Sequence, residues 1–136
     1  MTEELTAEEI EFLNSIFDLA RDNKPQALSS LIEQGIPVNL TNSKGDTLLI
    51  LAAYHQNAEV VATLIAAGAD LDRVNDRGQS ALACAVFRGN QQIASQLLDA
   101  GADVNAGHQT PLEIAQFFGI DHLVPLLKEH GAATQG

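Results

Sequence analysis

A chain of 136 residues that is 46% hydrophobic, mostly Ala, Leu, Ile and Val with no Trp, is one domain's worth of ordinary globular protein, and it suits thin layers of close-packed helices better than one bulky aromatic core. Its formal charge of −11, from 18 acidic and 7 basic side chains, repels phosphate backbones and anionic lipid, so nucleic acid and membrane are set aside as partners. No apolar run approaches the roughly 20 residues that span a bilayer, the opening residues are acidic where a targeting peptide would be basic, and the lone Cys84 has no internal disulfide partner, so a cytoplasmic protein is expected.

Taken in order, Thr6-Ala7-Glu8-Glu9 has the capping-box form, in which the Thr6 hydroxyl accepts from the Glu9 amide and the Glu9 side chain returns the bond. A helix starts there, with Ile10, Leu13, Ile16/Phe17 and Ala20 at helical spacing, and it ends near Arg21 at the polar Asp22-Asn23-Lys24. Pro25 is preorganised for a first helical turn, and Ala27, Leu28, Leu31 and Ile32 make a second apolar stripe closed by Gly35. Asn42-Ser43-Lys44-Gly45 reads as a tight turn that projects as a finger. Thr47 then caps a short helix, a second helix covers about 58–67, and Gly68 closes it.

The stretch from Lys44 to Asp72 is then written again from Arg77 to Asn105. Gly45/Gly78, Ala52/Ala85, Gly68/Gly101 and Asp70/Asp103 each differ by 33 positions. A fixed period of this size signals stacked units of turn, helix, helix and glycine rather than one undivided core. Asn75-Asp76-Arg77-Gly78 is the second finger, Ser80 the second inner cap, and 91–100 the second outer helix. Beyond it the matches continue at a shift of 30, as in Ser80/Thr110, Leu82/Leu112 and Gly101/Gly131, so three residues are missing between Asn105 and Thr110 and the last finger is short or absent. Pro111 fits a first helical turn, whereas Pro125 lies inside the final apolar pattern and should kink that helix or delay its start. Residues from Ala132 to Gly136 read as a frayed tail.

The segments NSKGDTLLILAA, NDRGQSALACAV and HQTPLEIAQ, with AEVVATLIAAGADLD and QQIASQLLDAGADVN behind the first two, resemble the ankyrin-repeat pattern over about residues 20–132. The resemblance implies an all-α ankyrin-repeat solenoid of stacked helix-turn-helix units with short β-hairpin-like fingers. As one domain over 1–136 it divides into an N-terminal cap at about 6–37, repeats at 42–70 and 75–103, and a C-terminal cap at 108–131 with a shortened finger. The family's Pro is replaced by Leu48 and Ala81, its His by Ile50, Ala83 and Glu113, and one of its glycines by Gln56. Losing the His removes the side-chain bonds that it makes between fingers in the family.

No residue set suggests catalysis. His55, His108, His122 and His130 lack metal-ligand spacing with one another or with Cys84, and Cys84 sits beside Ala85 where a small side chain packs, so no metal, cofactor or enzymatic activity is expected. The resemblance implies instead a protein partner held by the finger tips and the exposed ends of the inner helices. Those positions fall on Ser43, Lys44, Asp46, Asp76, Arg77 and Gln79 in the fingers, and on Tyr54-His55, Phe87-Arg88 and Phe117-Phe118 in the helices, with Arg21-Asp22 in the first cap. Tyr54, Phe87 and Phe117 recur at 33 and 30 residues, and Tyr54 points away from the stripe of Leu49, Ala52 and Ala53, so an exposed aromatic ladder is expected. The charge serves solubility or, more pointedly, a basic protein partner. The reading is a monomeric binding module. Its competitors are an acidic protein covering a basic surface and a self-assembling unit that uses the same aromatics in a homodimer.

Overall fold

The computed structural model describes residues 4–132. They form helix pairs in the expected register: α1 (Ala7–Arg21) with α2 (Pro25–Glu33), α3 (Leu48–Tyr54) with α4 (Ala58–Ala66), α5 (Ala81–Phe87) with α6 (Gln91–Asp99), and α7 (Pro111–Phe117) with α8 (Val124–Glu129). Among the described residues the fingers build no strand, and extended pairing is limited to one antiparallel bridge between Thr41 and Thr47. No helix there is long and apolar enough to cross a membrane.

Each inner helix starts on a side-chain cap that satisfies an otherwise orphan amide. Thr47 accepts from Ile50, Ser80 from Ala83, and Thr6 and Thr110 form full capping boxes with Glu9 and Glu113. The inner helices α1, α3, α5 and α7 pack one on the next, and α2, α4 and α6 make a second layer behind them. Six consecutive residues of α3, Leu48 to Ala53, and six of α5, Ala81 to Val86, are buried, because each has neighbours on every side and an all-apolar helix belongs in the interior. The outer helices bury only one stripe, Val60, Val61 and Leu64 in α4 and Ile93, Ala94, Leu97 and Leu98 in α6.

Polar bonds tie unit to unit as well. The Asn57 amide donates to the Ala20 and Arg21 carbonyls at 2.8 and 2.7 Å, which satisfies the open C-terminal end of α1. His122 Nε2 lies 3.1 Å from the Gly89 carbonyl and links the last two units. Behind the fingers, the Asp70 amide donates to Asn39 and the Asp103 amide to Asp72, both across 31 residues.

At the C-terminal end, Pro125 delays the helix rather than kinking it. Asp121–Leu123 form a 3-10 turn, and α8 begins at Val124 with the proline in its first turn, where its missing N–H would have had no partner. The last finger is reduced to a loop at Gly107, whose neighbour His108 donates its amide to the Gly78 carbonyl at 3.0 Å. The tail read from Ala132 onward lies, after Ala132 itself, outside the described residues.

Candidate functional site

The fingers are held by asparagines. Asn42 Oδ1 accepts from the Lys44 and Asp46 amides at 2.9 and 3.0 Å, and Asn75 Oδ1 accepts from those of Arg77 and Gln79, both at 3.0 Å. The side-chain amide of Asn75 donates to Gln79 Oε1 at 3.0 Å and to Asp46 Oδ1 at 2.8 Å, while the backbone of Asp76 donates to the Lys44 carbonyl at 3.0 Å. The family's histidine is therefore replaced by a different bridge. Without the histidine, the two fingers are still cross-linked through side chains, by Asn75 on Asp46. They stack so closely that a Cβ added at Gly45, already at φ +76, would run into Asp76, and one added at Gly78 would run into the His108 ring of the last loop.

This frame sorts the expected finger residues into two groups. Ser43, Lys44, Asp76 and Arg77 are exposed at the tips. Asp46 is not available as a contact residue: it is 5% exposed, and its carboxylate accepts from Asn42 and Asn75. Gln79 is half-buried with its Oε1 taken by Asn75. Both carry the frame because the turn folds the fifth residue back over the asparagine.

Opposite the tips lie the aromatic side chains at the C-terminal ends of the inner helices. Their exposure runs from 37% at Tyr54 to 74% at Phe117. The Tyr54 and Phe87 rings lie parallel, 6.5 Å apart and 11° from coplanar, and Phe87 meets Phe118 edge-on at 5.2 Å. The ring that continues the run beyond Phe87 is thus Phe118, with Phe117 beside it at 4.9 Å, and not the Phe117 that the spacing implied. Phe118 caps α7 at the position that His55 and Arg88 hold in the preceding units. Arg88 reaches back over the Tyr54 ring at 5.1 Å, and His55 meets the same ring edge-on at 5.3 Å.

Tip residues Ser43, Lys44 and Arg77 and, from the aromatic run, Tyr54 line a groove of about 650 Å³, closed at one end by α1. Leu5, Ile10, Leu13 and Asn14 line that end, and the sequence reading missed their role. Ile10 shares the helical spacing of Leu13, Ile16 and Ala20, yet it is exposed and the buried residues of α1 begin at Ile16. A signal was present: subtracting the 33-residue period from the cap at Thr47 gives position 14, eight residues beyond the cap at Thr6, so two turns of α1 overhang the stack. A smaller hollow of about 210 Å³ continues the groove between Arg77, Phe87, His108 and Phe118.

Burial, then the charges of Arg21 and Arg88, hold the His55 imidazole below its usual range, with Asp22 opposing. Burial first, and the Asp46 carboxylate second, push the Cys84 thiol up to about 12, with Arg77 opposing, so it is no nucleophile at neutral pH. Among the described residues no three His, Cys, Asp or Glu side chains gather as a metal site.

A family model described as ankyrin repeats in three copies matches residues 16–108 and again 59–135. A protein of Pseudomonas aeruginosa named as an ankyrin repeat protein is 52% identical over 58 residues, 43% of this chain and 34% of that one, so the match spans about a third of the relative's length.

Proposed function

The chain belongs to the ankyrin-repeat family, and from that premise we propose that it is a non-enzymatic binding module whose concave groove receives a segment of a protein partner. Ankyrin repeats are generally protein–protein interaction modules and typically carry no catalysis. The observation that carries the reading is the solvent-facing aromatic run Tyr54, Phe87, Phe118 and Phe117. Apolar side chains of this size in the same repeats are otherwise packed between helices, and aromatics beside His55 and Arg88 are the residue types that anchor interfaces. The tips of Ser43, Lys44 and Arg77 line the opposite wall, with Asp76 exposed beside Arg77. In this reading the units at about 6–37, 42–70, 75–103 and 108–131 act as one monomeric, cytoplasmic domain.

Replacing Tyr54 and Phe87 together with Ala tests it. The rings are partly exposed but touch each other, so the double variant should stay folded and lose about 1–2 kcal/mol of stability. Binding should fall by about 2 kcal/mol or more. Thermal melting alongside capture from a native lysate, wild type against variant, measures both. A folded variant that retains the same proteins as the wild type would remove this site.

A further inference from the structure

The seven Lys and Arg residues are not spread evenly over this acidic chain. Arg21, Lys44 and Arg77 line the groove, and Arg88 stands 5.1 Å over the ring of Tyr54, itself a lining residue, so four of the seven gather at this face. The chain has 18 Asp and Glu residues, but the groove lining includes only one, Asp46, whose carboxylate is buried and hydrogen-bonded to Asn42 and Asn75. Asp18 pairs with Arg21 at 2.9 Å, and Asp76 lies beside Arg77 at the tip, so the wall is not purely cationic. Lys44, Arg77 and Arg88 nonetheless make no ion pair among the described residues, whereas Arg73, away from the groove, is paired with Asp70 at 3.0 Å.

Cations in a chain so rich in carboxylates lie lowest in energy beside carboxylates. Drawing several to one concave face without partners is unfavourable unless a ligand supplies the opposite charge. We propose, resting on the groove reading above, that the bound segment is an acidic peptide stretch. Its carboxylates meet Lys44, Arg77 and Arg88, and a large apolar side chain enters the end of the groove formed by Leu5, Ile10 and Leu13. The net charge of −11 opposes such a peptide at a distance, so the attraction acts only within about a Debye length of the groove. This is the reverse of the basic partner that total charge alone suggests.

Selection from a displayed library of random dodecapeptides on the full chain tests the inference. The wild type should enrich peptides rich in Asp and Glu that carry a large apolar residue. K44E/R77E should bind those peptides at least about tenfold more weakly, the scale of one charged hydrogen bond, and should itself select Lys- and Arg-rich peptides. Both tip side chains are exposed and make no ion pair among the described residues, so this variant should melt like the wild type, and K44Q/R77Q provides a milder control. Neutral or basic peptides that need Tyr54 and Phe87 would keep the groove and overturn the acidic assignment. Peptides that bind Y54A/F87A as well as the wild type would overturn the groove reading itself, and no enrichment at all would overturn both.

Discussion

Gln56 stands in the left-handed region at φ 62, in a column that Asn23, Gly89 and Gly119 occupy at 56, 67 and 69. A residue with a Cβ costs about 1–2 kcal/mol there relative to ordinary backbone, and glycine avoids most of it. Its side-chain hydrogen bond, from Asn90 Nδ2 to Gln56 Oε1, is long at 3.4 Å. Gln56→Gly should therefore stabilise the chain by about 1 kcal/mol and raise its melting temperature by roughly 3–5 °C. A lower melting temperature in a thermal scan would mean that the Gln side chain holds the turn more firmly than its hydrogen bond suggests. At this scale the sequence was legible wherever the deciding partner lies a few residues away: Thr6, Thr47, Ser80 and Thr110 could be read as caps from their own neighbours. Asp46 could not, because its partner Asn75 is 29 residues distant and reaches it only through stacking.

Asn75 is the element-scale counterpart, since one buried side chain organises its own finger and grips the previous one. Asn75→Asp keeps the acceptors but deletes the donor and sets a second carboxylate against Asp46. At neutral pH it should cost about 3 kcal/mol, from an unsatisfied buried acceptor plus like-charge repulsion. Crowding raises the folded-state pKa values of the pair above those of the unfolded chain, so the folded variant binds a proton more readily. Its deficit against the wild type should shrink as pH falls from 7 toward 5, whereas that of Asn75→Ala should not. Equal deficits at both pH values in denaturant titrations would exclude repulsion as the cause. The helices and their order were legible from the period, and so was the missing finger. The overhang of α1 was not drawn from it, because helical spacing of Ile10 and Leu13 looks the same whether the helix covers a neighbour or projects past it. The pairing of Phe87 with Phe118 depends on how the last cap turns, which no spacing records.

Across the whole molecule, stability is a sum over units and the interfaces between them. Deleting residues 1–35 would strip the cover from α3 and α4 and leave Asn57 without its two carbonyl acceptors. The truncated chain should lose most of its helical circular dichroism at 25 °C or melt far below the full chain, since at least about three units are normally needed. An unchanged melting curve would make the first helix pair an appendage. The gathering of cations was invisible in the sequence for a related reason, because positions 21, 44, 77 and 88 share a face only once the first three units are stacked. The finger frame has one more consequence. Its hydrogen bonds use the backbone of the tip residues and the side chains of Asn42, Asp46, Asn75 and Gln79, while the side chains of Ser43, Lys44, Asp76 and Arg77 enter no hydrogen bond or ion pair among the described residues. Those four letters can be rewritten with little penalty to the scaffold that displays them, so the groove can be re-aimed at a new target by editing its tips alone.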